Sequence, residues 1–377
     1  MKRTIIVRYG ELALKSEPVR RYFERRLRTN MNFALRGIAY KLRRERGRLY
    51  VDTSATKTAI KRLVRVPGIV SVSPAVRLSA TLADICSGSL KIAKRVLKVG
   101  ESFAVRTTRV GKHTFSSKDV NVTVGSAILK AIQGVHVNLS NPDREISIEV
   151  RERDAYVFTD TVPGAGGLPV GVEGNVVALL SGDIDSAVAT YLVMKRGCKV
   201  FPVFLDSTPY AAKRARARAI SVTRRLAESQ PKLEFRVLPF GQVLRTFIAK
   251  APRGLTCVLC KRAMVRVAEA IAREVNARAV VMGDSLKPVS SQTLPNLRLI
   301  DEACGLPILR PLVGLDKARI GQMAHSIEIF ASLAPCLAAP PRPQTRAKLA
   351  EVLEAESKSN LLELVGSTLK KVRVLRF

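Results

Sequence analysis

Leu179-Leu180-Ser181-Gly182-Asp183-Ile184-Asp185-Ser186 decides how this chain is read. An apolar run, Val176–Leu180, leads into it, and a helical pattern, Ser186–Lys195, leads out of it. Small and hydroxylated residues at a strand-to-helix turn let backbone N–H groups and hydroxyls close on an anion, and the helix N-terminus favours negative charge. No Lys stands where the GK[ST] pattern needs one, so the turn is not a Walker loop. It is either a phosphate cradle or an ordinary helix start with Ser and Asp as caps.

Outward from the turn, apolar strands are predicted at Val176–Leu180, Val200–Leu205, Leu233–Leu238 and Ala279–Met282. Helices are predicted between them at Ser186–Lys195, Ala211–Glu228 and Lys261–Glu274. Continuous apolar strands alternating with helices argue for a parallel, doubly wound sheet, whose ligands sit beyond the strands' carboxyl ends. Upstream, Pro163-Gly164-Ala165-Gly166-Gly167-Leu168-Pro169 is a Gly/Pro-dense linker and the clearest boundary in the chain.

The N-terminal part has a different rhythm. Thr4–Tyr9 reads as a strand. A helix follows with Val19, Tyr22, Phe23, Leu27, Met31 and Leu35 on one face and Arg20, Arg21, Arg25, Arg26 and Arg28 on the other. Next come a hairpin turning at Gly47, a helix with Ile60 and Leu63, and a strand Ile69–Ser73 closed by Pro74. The order β-α-β-β-α-β is the ferredoxin-like pattern. Residues 80–165 then mix helices (Leu82–Val99, Asp119–Ile132) with strands (Phe103–Thr108, Ile146–Val150, Ala155–Thr161).

The 377 residues hold 64 Lys and Arg against 31 Asp and Glu, a net charge of +33, with 47% apolar residues, 5% aromatic and no Trp. The apolar content excludes intrinsic disorder, and no run is long enough for a transmembrane helix. The first residues lack the apolar core of a signal peptide, so a cytoplasmic protein is expected. A charge of this size points to a polyanion, nucleic acid first, by counterion release. Residues 1–50 carry 15 basic and 4 acidic side chains, so the N-terminal part is its expected footprint. His113, His136 and His325 are scattered, leaving little for histidine-centred hydrolysis or zinc catalysis. Among six cysteines, only Cys257 and Cys260 are closely paired, which in a reducing compartment suggests metal or redox chemistry. A disulfide and buried thiols without a role are the alternatives, and Cys86, Cys198 and Cys304 read as packing.

The turn resembles the pyrophosphate-binding PP-loop, SGGxDS, of enzymes that cleave ATP to AMP and pyrophosphate. Arg8-Tyr9-Gly10-Glu11-Leu12-Ala13-Leu14-Lys15, Pro163–Gly171, Tyr191–Gly197, Cys257-Val258-Leu259-Cys260-Lys261-Arg262, Gly283-Asp284-Ser285 with Ser291-Gln292-Thr293, and Arg310-Pro311-Leu312 with Asp316-Lys317 accompany it in one order. Together they resemble the tRNA 4-thiouridine synthetases (tRNA sulfurtransferases, the ThiI family), in the archaeal type without a rhodanese domain. The resemblance spans nearly the whole chain. It implies a ferredoxin-like domain at 1–78, a tRNA-gripping THUMP domain at 79–165 and a PP-loop adenylation domain at 170–377. The implied reaction is ATP-dependent: the C4 oxygen of uridine at tRNA position eight is adenylated, and sulfur then displaces AMP.

By the same resemblance, Leu179, Leu180, Phe204, Leu205, Arg262, Gly283 and Gln292 fall at ATP contacts. Ser181, Gly182, Asp185 and Ser186 fall at the pyrophosphate and its Mg²⁺. The strand residues also suit a buried sheet, and Arg262 a solvated charge. Asp183 departs from the pattern, standing where the family has a second glycine; a carboxylate there crowds pyrophosphate unless it turns away or shares the metal. Cys336 matches the family's catalytic cysteine. In archaeal-type relatives Cys257, Cys260 and Cys336 are implied to ligate an iron–sulfur cluster, with a dithiol or persulfide route as the alternative. Cys257 and Cys260 read as preceding a helix, where its dipole, Lys261 and Arg262 favour thiolates. The implied partners are tRNA and a sulfur donor, either sulfide or a persulfide carrier; a homodimer stays open, and no membrane partner is expected. The family is also linked to sulfur transfer for the thiazole of thiamine. Two rival readings are another PP-loop tRNA thiolase and a non-catalytic THUMP-type RNA-binding protein.

Overall fold

Residues 2–10, 16–45, 47–211, 214–286, 290–330 and 336–377 are described by a computed structural model of the chain. Glu11–Lys15 of the N-terminal motif, and Ala334 and Pro335 before Cys336, lie outside the described residues. The contacts divide the chain into two units, Met1–Arg20 with Met31–Gly167 and Arg21–Asn30 with Leu168–Phe377. Their junction at Gly167 and Leu168 falls within the Gly/Pro-dense stretch.

The N-terminal part of the chain begins with β1 (Lys2–Tyr9), α1 (Glu17–Ala34, of which Arg21–Asn30 group with the second unit), β2 (Lys41–Glu45), β3 (Arg48–Asp52), α2 (Thr56–Leu63) and β4 (Ile69–Ser79). The strands pair antiparallel in the order β2-β3-β1-β4, the ferredoxin-like arrangement expected. In α1, Phe23, Leu27, Met31 and Leu35 form a buried stripe four residues apart, whereas Val19 and Tyr22 are exposed. The second half follows as α3 (Leu82–Val96), β5 (Ser102–Arg109), α4 (Ser117–Ala131), β6 (His136–Val137), β7 (Arg144–Val150), β8 (Asp154–Phe158) and β9 (Val162–Pro163). Thr81 caps α3, and Ser116 with Asp119 forms a full capping box on α4.

The halves share one sheet of nine strands among the described residues, because β4 pairs β1 on one side and β8 and β9 on the other. Pro74 therefore does not end the strand. It lies between the β9 register at Ser71 and Val72 and the β8 register that starts at Val76, where that edge asks it for no ladder N–H.

Several N-terminal arginines are structural. Arg8 donates two hydrogen bonds to Glu149 Oε1, at 3.0 and 2.8 Å, while Arg48 and Arg151 donate to Oε2 at 3.2 and 3.1 Å. Burial pushes the Glu149 carboxyl up, but Arg48, Arg8 and the hydrogen bonds outweigh it and hold it below the ordinary value. Arg43 grips Asp52 with two nitrogens, at 3.0 and 3.1 Å. These cations are spent on the fold. Arg21, Arg25 and Arg28 on α1, and Lys91, Lys94 and Arg95 on α3, are exposed.

The second unit runs β10 (Asn175–Leu179), α5 (Ile184–Lys195), β11 (Lys199–Asp206), α6 (Ala215–Ala227), β12 (Glu234–Pro239), α7 (Gly241–Lys250), α8 (Thr256–Glu274), β13 (Ala277–Val281), α9 (Leu294–Asp301), β14 (Ile308–Leu309), α10 (Lys317–Ser326), α11 (Leu349–Lys358), α12 (Leu361–Leu369) and β15 (Arg373–Arg376). Alternate residues of each strand enter opposite cores. Val177, Phe201 and Val203 pack with α7, α8, α11 and α12, while Val176, Ala178, Val200 and Phe204 pack with α5, α6 and α10. The sheet order is β14-β13-β10-β11-β12-β15, parallel except for β15. Chain direction across the sheet reverses at β10, which lies between β11 and β13. This is the doubly wound sheet expected, and its switch point lies at the end of the strand carrying the turn.

Candidate active site

Gly182 makes the turn tight. Its φ is +84°, and a Cβ there would stand 2.9 Å from Ala215 O and Ala219 N of α6. Only glycine fits. Asp183 has φ −99° and needs no such freedom; it is the N-cap of α5. Its Oδ1 accepts the Ser186 N–H at 3.0 Å and the Ser186 hydroxyl at 2.9 Å. Ser186 Oγ in turn accepts the Ser181 N–H at 3.1 Å and lies 2.9 Å from Ser181 Oγ. The carboxylate that departs from the PP-loop pattern thus turns back onto the first turn of α5. Gly283, at the end of β13, approaches the same turn so closely that a Cβ would lie 2.7 Å from Ser186 N.

A cavity of about 350 Å³ opens at this switch point. It brings together the expected residues Leu179, Leu180, Ser181, Ser186, Phe204, Leu205, Gly283, Gln292, Asp185 and Cys336. The Oε1 of Gln292 is buried without a hydrogen-bond partner among the described residues, as is the nearby Ser285 Oγ. A buried unpaired acceptor beside an apolar slot suits an adenine amino group.

Arg262 is not among the lining residues, which corrects the expectation for it. It is 2% exposed, donates to Glu356 Oε1 at 2.5 Å and to Oε2 at 3.2 Å, and bonds the Leu299 carbonyl. Lys261 lines the cavity instead, donating to Asp284 Oδ1 at 2.5 Å; Arg310 approaches the other oxygen at 3.4 Å. The reason is helical geometry. Residues 257, 260, 261 and 264 share one face of α8, while 262 and 266 share another, toward Glu356. That stripe, begun by the two cysteines, was the signal in the sequence that separates Lys261 from its neighbour. Arg218 of α6 and Tyr210 also line the cavity, and nothing local in the sequence marks either. At its mouth Lys317, opening α10, donates to both Asp185 oxygens at 2.7 Å.

The cysteines need a second correction. Cys257 and Cys260 lie within the first turns of α8, not before it. Burial, then the neighbouring Cys336 and Cys257, push the Cys260 thiol up, more than Lys261 lowers it. Cys336 is exposed, and it alone of the three lines the cavity. Among the described residues no three His, Cys, Asp or Glu side chains are grouped to hold a metal ion. Cys260 nevertheless has both Cys257 and Cys336 as neighbours, so the three expected thiols lie close to one another.

Comparison with known proteins bears on this geometry. The family model described as "Thiamine biosynthesis protein (ThiI)" matches residues 171–361. Those for the ThiI ferredoxin-like domain and the THUMP domain match 4–73 and 79–160. A probable tRNA sulfurtransferase of Methanosarcina acetivorans is 40% identical, over 99% of this chain and 93% of its own. The chain belongs to the ThiI family. Another probable tRNA sulfurtransferase, from Methanothermobacter thermautotrophicus, is 40% identical over 97% of this chain and 96% of its own. Among solved structures, a 4-thiouridine synthetase in complex with RNA and bound ATP is similar at a TM-score of 0.90, with 29% identity and 100% of both chains covered. Membership of the ThiI family agrees with the fold and with the glycine turn at the switch point. No helix among the described residues is long and apolar enough to cross a membrane.

Proposed function

We propose that this chain is an ATP-dependent tRNA sulfurtransferase that makes 4-thiouridine at tRNA position eight. One observation carries the reading: a single cavity is lined by the phosphate-type turn, by Lys261 and by a cysteine, Cys336. A carbonyl oxygen is a poor leaving group. Transfer of AMP from ATP to the uracil C4 oxygen, with release of pyrophosphate, makes it a good one. A sulfur nucleophile then adds at C4 and expels AMP. The slot of Leu179, Leu180, Phe204, Leu205 and Gln292 binds the adenosine end, and Ser181, Gly182, Ser186, Gly283 and Lys261 position the phosphates. Mg²⁺ supplies charge neutralisation when bound. One carboxylate, Asp185, together with phosphate oxygens, fits its preference for a few protein ligands.

Sulfur is delivered at Cys336, with Cys260 and Cys257 beside it; these three thiolates would hold an iron–sulfur cluster, and a dithiol or persulfide route is the alternative. The donor is sulfide or a persulfide carrier. The tRNA is held by the basic first unit, within which 1–78 and 79–165 act as the ferredoxin-like and THUMP domains, and 170–377 is the catalytic domain.

The test is direct. The full chain, incubated with ATP, Mg²⁺, sulfide and unmodified tRNA, is expected to yield 4-thiouridine on nucleoside mass spectrometry, lost in Cys336→Ser. No thiolated nucleoside from the wild-type chain, together with unmodified position eight in its native cells, defeats the reading.

A further inference from the structure

The phosphate cradle already contains an anion of its own. Asp183 Oδ1 accepts the Ser186 N–H and hydroxyl, two donors that a pyrophosphate at the N-terminus of α5 needs. The loop cannot retreat to make room for both, since Gly182 is pressed against the α6 backbone and Gly283 against Ser186. Asp183 has an ordinary extended backbone, so rotation of its side chain alone vacates the donors. We propose that Asp183 is a resident competitor of pyrophosphate: its carboxylate and the product exclude each other from the same donors, and its return favours product release. The proposal rests on the reading of this cavity as an ATP pyrophosphatase site. It gives the replaced glycine a function in this chain, which is to weaken binding of every ligand that has a pyrophosphate group and no other ligand.

Charge and occupied donors both oppose pyrophosphate: Asp183→Asn removes the charge, and Asp183→Gly removes both. Asn caps a helix as well as Asp but has no charge, and Gly loses little as a cap. Calorimetric titration of the full chain with Mg²⁺-pyrophosphate and with AMP, for wild type, Asp183→Asn and Asp183→Gly, reads the difference without needing turnover. Both variants are expected to bind pyrophosphate about tenfold more tightly, as for loss of one like charge at a helix N-terminus. AMP, which lacks the pyrophosphate group, is expected to bind all three equally. Steady-state thiolation should show the same shift in pyrophosphate inhibition. Unchanged pyrophosphate affinity in Asp183→Gly overturns the proposal, because the side chain is then only a cap. Weaker binding in both variants also overturns it, because Asp183 is then a metal ligand. Absence of pyrophosphate binding in all three proteins overturns it as well. Failure of the wild type to thiolate tRNA, with the binding shifts intact, instead defeats the assigned reaction and leaves the competition standing.

Discussion

Lys261 and Arg262 are adjacent, yet one faces the cavity proposed to bind ATP and the other is buried against Glu356. Their substitutions should fail differently. Lys261→Met is expected to keep the fold and lower turnover roughly 100-fold, as for loss of one preorganised charge on a reacting group. Arg262→Met leaves buried Glu356 to Arg266 alone among the described residues and is expected to destabilise the chain by about 3 kcal/mol. Thermal melts beside ATP saturation curves separate the two; equal melting temperatures would contradict the assignment. The thiols differ as well. Cys260 is pushed above its ordinary value of 9.0 by burial and its neighbours, so it stays protonated at neutral pH. Its alkylation is expected to be slow at pH 7 and to rise only in strongly alkaline buffer, as mapped by peptide mass spectrometry. Rapid labelling of Cys260 at pH 7 would restore the dipole-activated thiolate expected from its sequence neighbours.

At the scale of elements, the Glu149 cluster joins β1, β3 and β7 through Arg8, Arg48 and Arg151. The folded-state pKa of Glu149 lies below its unfolded value, so its stabilisation is complete above the ordinary 4.5 and is lost as pH falls through the lowered value. Acid titration of stability is expected to be shallower in Glu149→Gln, which at neutral pH should already be less stable by about 3 kcal/mol. An identical acid limb in both proteins would remove Glu149 from the explanation. Which elements were legible follows from where their information lies. The buried strands β10, β11, β12 and β13, and helices α5 and α8, announce themselves by local apolar pattern. Strand β15 does not: Arg373-Val374-Leu375-Arg376 pairs with Phe235 and its neighbours, far away in sequence, and is recognisable only by that pairing. Pro74 misled for the same reason, since whether a proline ends a strand depends on which edge needs its N–H. In the site, the turn and its hydroxyls were readable as a motif. The inward side of α8 needed its helical phase, and Arg218 and Tyr210 needed the fold.

For the whole molecule, a charge of +33 is expected to make tRNA binding steeply salt-dependent, with log K falling linearly in log salt. Paired Arg25→Glu and Arg28→Glu, both exposed, should weaken tRNA binding and flatten that slope while leaving AMP affinity unchanged. A slope unaltered by the pair would move the RNA surface off α1. Iron analysis after anaerobic purification separates the two sulfur routes: a cluster held by Cys257, Cys260 and Cys336 is expected to give iron that is lost in Cys257→Ser. Absence of iron, with Cys336→Ser alone blocking thiolation, would leave a persulfide on Cys336 as the sulfur carrier. The nine-stranded sheet has a further meaning. Because β4 is hydrogen-bonded into both halves of the first unit, its ferredoxin-like and THUMP parts cannot swivel against each other. Eight strands in line, at ~4.8 Å per step, set the two ends on the order of 30 Å apart, much like a calliper with locked jaws. An RNA that reaches from one jaw to the other has to span that distance, so fragments too short to bridge them are expected to bind more weakly than whole tRNA in a filter-binding series.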